Sequence, residues 1–120
     1  MAIRSFRDLL VYQKAYALSL NIHKVTLRFP QFEQYELGRQ MRKASKSICL
    51  NLAEGYGKSK VSKIEFKRYV QVSLGSAEEM HSCLDYCQNL DYISKEKYKE
   101  FTEGYKEISK MMQGLQNSWN

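Results

Sequence analysis

An all-α fold, specifically an antiparallel up-and-down four-helix bundle, is predicted by three features of this 120-residue sequence. It contains one proline, Pro30, and six glycines, too few breakers for the many turns of an all-β fold. Apolar residues recur at alternating spacings of three and four through four long segments, which is the period of one helix face. The stretches between those segments are short, and four amphipathic helices so connected bury their stripes best as neighbours running up and down. A hydrophobic content of 43% and a charged content of 27% suit a folded chain, and the length suits one domain spanning 1–120.

The first helix is expected over about 6–28, with Val11, Ala15, Leu18, Ile22, Val25 and Phe29 as its stripe and Leu9, Tyr12 and Tyr16 widening it. Phe29 precedes Pro30, and the residue before a proline avoids the helical region, so the helix stops there. The second, about 34–54, turns Leu37, Met41, Ala44 and Ile48 inward, with Leu52 close by. Gly55-Tyr56-Gly57 is expected to supply its left-handed end. Ser62-Lys63-Ile64-Glu65 reads as a capping box that opens the third helix, about 63–90, whose stripe is Phe66, Val70, Ser73, Ala77, Met80, Leu84 and Cys87. Gly75 and Ser76 are small enough for a neighbouring backbone to come close. Ser94 caps the fourth, about 95–117, with Ile93 stapled on Tyr98. Tyr98, Phe101, Tyr105, Ile108, Met112, Leu115 and Trp119 form its heptad.

No apolar run approaches the ~18 residues of a membrane span, and the N-terminus lacks the long apolar region of a secretion signal. Cys49, Cys83 and Cys87 are odd in number and fall inside helical patterns, as reduced thiols of a cytoplasmic protein do. Most of the nine tyrosines, including Tyr12, Tyr16, Tyr69, Tyr98 and Tyr105, fall at or near core stripes and are expected to bury their rings.

Charge is unevenly placed. Residues 1–60 carry 11 Lys/Arg against 4 Asp/Glu, and residues 61–120 carry 8 against 9, so the halves hold +7 and −1. A basic half attracts anionic partners, nucleic acid being the commonest. In the second helix Arg39, Arg42, Lys43 and Lys46 cluster opposite the apolar stripe, and Lys58, Lys60, Lys63, Lys67 and Arg68 carry the charge around the turn. Such cations hold phosphates by releasing counterions, although a solvated face looks the same and no base-reading motif accompanies them.

Ser47, Asn51 and Glu54 lie one turn apart beside the second helix's stripe, opposite a strip of the third that includes Ser76 and Glu79. Glu54 with Glu79 is the one candidate acid/base pair. A hydrogen-bonded structural network is preferred, because no histidine or nucleophile is placed to complete a catalytic site. Glu78 and His81 have E-x-x-H spacing, but a di-iron bundle needs two such motifs, and His23 has Leu20 where the second glutamate belongs. Cys83 and Cys87, one turn apart, have no further ligand nearby. No enzyme activity, metal or cofactor is expected.

The assembled residues resemble the four-helix bundle family encoded in intervening sequences of bacterial 23S rRNA genes. The likeness is carried by Phe6-Arg7-Asp8-Leu9 through Ala15, Phe29-Pro30, Leu37 through Gly57, and Gly75-Ser76 through Glu79, the third stretch being the most specific. Ala77 stands where a larger apolar residue is usual. The resemblance implies a cytoplasmic bacterial protein that assembles into a closed ring, commonly a homopentamer. It is also similar to accessory proteins of diversity-generating retroelements, basic barrels that bind nucleic acid and a reverse transcriptase. Ser47, Asn51, Glu54, Ser76 and Glu79 match the family's polar positions and are taken as structural. The function expected is non-catalytic nucleic-acid binding, RNA first, by an oligomer. The alternative is an adaptor ring that docks a protein partner such as a polymerase. The third-helix strip and Leu50 beside the basic face motivate the oligomer independently of the resemblance.

Overall fold

The computed structural model describes residues 2–118, so Trp119 lies outside the described residues. Four helices carry the fold: α1 (Leu10–Thr26), α2 (Leu37–Lys58), α3 (Lys63–Asn89) and α4 (Lys95–Ser118). A 3-10 turn, Phe6–Asp8, precedes α1, and a single helical turn, Gln31–Gln34, separates α1 from α2.

Contacts between helices set their directions. Along α2, residues Met41, Ser47, Ile48 and Glu54 meet Cys87, Ser76, Ser73 and Tyr69 of α3, so one number climbs while the other falls. Arg42 of α2 reaches Thr26 near the end of α1, and Tyr56 reaches Ile3 before its start. Tyr98 meets Asp85, and Gln116 meets Lys67, between α4 and α3. Each neighbouring pair is antiparallel, giving an up-down-up-down bundle of 45 × 24 × 22 Å.

One core fills the bundle. Ile22, Met41, Ile48, Leu52, Phe66, Val70, Met80, Leu84, Phe101, Tyr105, Ile108 and Met112 are fully buried within it. The stripe expected of each helix faces this core, with Leu18, Val25, Leu37, Tyr98 and Leu115 half-buried at its margin. Cys49, Cys83 and Cys87 are also inside, with the Cys87 thiol 3.4 Å from the Met41 sulfur.

Besides α2 starting at Leu37 instead of near 34, three boundaries differ from expectation. The chain does not enter α1 at Phe6. The Asp8 carboxylate accepts the Arg4 and Ser5 amides at 2.8 and 3.2 Å, closing a separate turn, and Leu9 is extended before α1 begins. At the other end α1 stops at Thr26, and Pro30 starts the Gln31–Gln34 turn instead of merely ending a helix. The third difference is at Gly55-Tyr56-Gly57, where no glycine has positive φ among the described residues and α2 continues through to Lys58. Gly55 serves close approach: a Cβ there would stand 2.7 Å from the Tyr69 Cβ of α3. Gly75 does not have that role, because a Cβ added to it meets nothing within 4 Å. The left-handed residue lies elsewhere, at Asp91 (φ 61°) after α3, where the Tyr92 amide closes back on the Cys87 carbonyl at 2.8 Å. Ser62 caps α3, its hydroxyl accepting the Glu65 amide at 3.2 Å, but among the described residues the Glu65 carboxylate does not return the bond that would complete the expected capping box.

Candidate nucleic-acid interface

Alternation of apolar and basic residues gives α2 two faces. Gly38, Met41, Ala44, Ser45, Ile48, Cys49, Leu52 and Gly55 face the core, which turns Arg39, Lys43, Lys46 and Leu50 outward. From Arg39 to Lys58 this wall runs about 28 Å at the helical rise. Lys58 ends α2, Lys60 lies on the turn, and Lys63 and Arg68 are exposed in the opening turns of α3. Lys67 is half-buried, and its carbonyl accepts the Gln116 side-chain amide at 3.0 Å.

Among the described residues, no ion pair engages Arg39, Lys43 or Lys46. Ion pairs among the described residues join Lys14 to Glu107 at 2.9 Å and Lys97 to Glu100 at 3.5 Å, both remote from α2. Arg39 lies over the exposed ring of Tyr35, 5.8 Å from its centroid.

Arg42 differs from its neighbours. Its guanidinium turns inward, donating to the Thr26 hydroxyl at 2.9 Å and the Gln34 carbonyl at 2.8 Å. It therefore clamps the end of α1 and the Gln31–Gln34 turn onto α2. Gly38 leaves room for this: a Cβ there would be 3.0 Å from an Arg42 nitrogen and 3.1 Å from the Glu33 carbonyl oxygen. At 100° per residue Arg42 sits on the flank of the cationic face, which is why clustering in sequence did not distinguish it.

The five polar positions separate into three groups. Asn51 donates to the Ser47 carbonyl and hydroxyl at 2.8 and 3.0 Å, and Ser76 donates to the same hydroxyl at 3.0 Å, so these three join α2 to α3. Glu54 instead accepts the Tyr69 hydroxyl at 2.7 Å, and Glu79 accepts the Gln40 amide at 3.3 Å. Tyr69 and Glu79 are ten residues apart on α3, about 15 Å, so the two carboxylates do not form a pair. Nor does any group of three or more His, Cys, Asp and Glu converge among the described residues. His81 lies edge-on to Tyr105, 6.3 Å between centroids.

Several joints made by tyrosine leave no trace in residue spacing. Tyr92 donates to Glu33 at 2.8 Å and Tyr98 to Asp85 at 2.6 Å, as Tyr69 does to Glu54. In each case the bond to the carboxylate raises the phenol's pKa, with desolvation adding to it. Partners 13 to 59 residues away leave no local signal. Of the tyrosines expected in the core, only Tyr105 is buried; Tyr16 is 48% exposed and stacks on half-buried Tyr12 at 5.8 Å.

A groove runs between α2 and α3 beside the cationic wall. One basin of about 500 Å³ includes Tyr35, Arg39, Gln40, Lys43, Ser47 and Glu79 in its lining. A second, of about 510 Å³, shares Glu36, Gln40 and Glu79 with the first and adds Glu33, Leu37, Cys83, Tyr86 and Leu90.

Fold and surface together define an all-helical four-helix bundle with one cationic wall, none of whose described helices is long and apolar enough to cross a membrane. The chain belongs to the 23S rRNA-intervening sequence protein family, whose family model it matches over residues 7–114. The fold is shared with a crystal structure of a protein of unknown function from the S23 ribosomal protein family of Bacteroides thetaiotaomicron VPI-5482. That chain is 20% identical, with a TM-score of 0.81 over 92% of this chain and 98% of the other. No curated protein matches the sequence.

Proposed function

We propose that this protein binds RNA, without catalysis, through phosphate contacts along the outer wall of α2. The observation that carries the reading is that Arg39, Lys43 and Lys46 are exposed on one helix face while the ion pairs among the described residues lie elsewhere. Cations in this arrangement release counterions from a phosphate backbone, and affinity follows the salt concentration. Lys58, Lys60, Lys63 and Arg68 extend the surface around the α2–α3 turn; Arg42, engaged internally, contributes structure.

Self-association is part of the same proposal. Leu50, Val72, Tyr86 and Leu90 are 67%, 48%, 61% and 49% exposed on α2 and the outer side of α3, apolar surface of the kind that marks interfaces. A cytoplasmic homo-oligomer, the pentameric ring implied by family resemblance, is the expected assembly. An adaptor role, with the ring docking a polymerase-like partner, draws on those same apolar residues and is the second reading.

Binding of structured RNA measured across a salt series tests the first. Affinity should fall about tenfold or more over a few-fold rise in salt, and Arg39→Glu with Lys43→Glu and Lys46→Glu should abolish it. Unchanged affinity in a folded triple variant would falsify the surface. A protein partner that remains bound after nuclease treatment would favour the adaptor.

A further inference from the structure

Two exposed apolar patches lie on different faces of the subunit, and their charged surroundings are opposite in sign. The first is the second basin of the α2–α3 groove, where Tyr86 and Leu90 are 61% and 49% exposed. Glu33, Glu36 and Glu79 line it with no lysine or arginine, since Arg39 and Lys43 line only the first basin. Tyr92 donates to Glu33 and Gln40 to Glu79, but no ion pair among the described residues engages any of the three carboxylates. The second patch is on α1. Tyr16, Leu20 and Leu27 are 48%, 48% and 54% exposed, and their helical spacing puts them on one stripe. No acid occurs between Leu9 and Phe32. Lys24 flanks the stripe between Leu20 and Leu27, exposed and without an ion pair among the described residues.

The two patches do not meet within one subunit. Arg42 and Cys49 of α2 face α1, through Thr26 and Ser19, whereas Ser47 faces α3 through Ser76, so α2 stands between them. Resting on the self-association proposed above, we infer that the α1 stripe of one copy docks in the acidic, apolar basin of the next. Every subunit then offers its groove to one neighbour and its α1 to another. The lengths agree: Tyr16 to Leu27 and Glu79 to Leu90 each run about 16 Å at the helical rise. Leu20 and Leu27 leave water against Tyr86 and Leu90, and Lys24 meets the unpaired carboxylates. A groove pairing with its own copy would set Glu36 and Glu79 against their like, and an α1 stripe pairing with itself would set Lys24 against Lys24. Like charges across an interface are disfavoured, and only the unlike pairing avoids both. Because two different patches meet, the contact does not close on a dimer but extends from copy to copy until a rotation closes it. Arg39 and Lys43 belong to the other basin, so phosphate binding and docking draw on separate residues.

The test uses the full chain in two variants, each followed by sedimentation velocity at micromolar concentration. Leu20→Glu with Lys24→Glu spoils the α1 stripe, and Glu79→Lys with Tyr86→Ala spoils the groove. All four positions are exposed, and thermal melting shows that each variant is folded. The single changes Leu20→Glu and Tyr86→Ala repeat the test should a double variant fail to fold. Each variant alone should be monomeric where wild type is assembled. Mixed in equal amounts they should form a one-to-one heterodimer and nothing larger. The intact groove of the first takes the intact α1 of the second, and no further pair of faces is left. A mixture that stays monomeric overturns the inference, as does wild-type assembly by either variant alone; self-association then stands on other surfaces. A wild-type chain that is monomeric throughout removes the self-association reading and this inference with it.

Discussion

Gly55 and Gly57, two residues apart in one helix, ask opposite things of a methyl group. A Cβ at Gly55 would press on the Tyr69 Cβ at 2.7 Å, backbone-proximal on both sides, so α2 and α3 would have to part. Gly55→Ala is expected to destabilise by about 1–3 kcal/mol, as overpacking does. At Gly57 nothing lies within 4 Å, and Ala should stabilise by about 0.5–1 kcal/mol through helix propensity alone. Chemical denaturation of the two variants reads both signs; matching signs would mean that α2 and α3 are not held this close. Tyr105 is a similar case in the core. Its hydroxyl is buried with no hydrogen-bond partner among the described residues, so Tyr105→Phe should be neutral or stabilising by about 1 kcal/mol. A clear loss of stability would reveal a partner such as a buried water. Arg42→Ala leaves the Gln34 carbonyl and Thr26 hydroxyl without their donor and should cost about 1.5–3 kcal/mol. RNA affinity of the folded variant should be nearly unchanged, which separates the clamp from the wall.

Helices α2 and α3 make the seam on which the rest of the molecule is assembled, and its polar joints are divided along its length. Ser47, Asn51 and Ser76 hold the middle, with Ser73 donating to the Ile48 carbonyl at 3.0 Å nearby. Tyr69 with Glu54 holds one end, and Gln40 with Glu79 the other. Because these ends share no partner, the melting-temperature shifts of Tyr69→Phe and Gln40→Ala should add in the double variant. Strong non-additivity would mean one continuous network. The outer faces of the helices differ in charge in the same way. Lys99, Lys106 and Lys110 of α4 share that helix with Glu96, Glu100, Glu103 and Glu107, so reversing those lysines should lower RNA affinity far less than reversing Arg39, Lys43 and Lys46.

Across the whole molecule, burial makes the fold sensitive to alkali. Desolvation lifts the Cys49 and Cys83 thiols from 9.0 to about 11, and Cys87 to about 12. The Tyr105 phenol is raised in the same direction by the same cause. Each of these groups ionises at lower pH in the unfolded chain than in the folded one. Their contribution is complete below the unfolded value near 9.0 and is lost as pH climbs through the folded values. Stability followed by urea denaturation should hold steady through neutrality and fall between about pH 9 and 12. Cys49→Ser with Cys87→Ser should flatten that fall. Persistence of the slope would place its origin in Cys83, Tyr105 or the tyrosine–carboxylate joints, whose raised phenols act with the same sign. Light scattering at micromolar concentration checks the assembly expected of the exposed Leu50, Val72, Tyr86 and Leu90, and a stable monomer would count against it.

Helix count, the buried stripes, the Ser62 cap and the two-faced character of α2 were all legible in residue order, because a helix puts sequence spacing and surface direction in fixed proportion. The same rule placed Arg39, Lys43 and Lys46 outside. It could not separate Arg42, whose direction depends on a carbonyl at Gln34 and a hydroxyl at Thr26, sixteen residues away. Nor did it show that Gly55 serves a helix crossing, that Glu54 and Glu79 stand apart, or that tyrosines choose distant carboxylates. Those outcomes rest on which residues of different helices stand opposite one another. That register is a property of the packed bundle, where contact distance, not position along the chain, decides which groups meet.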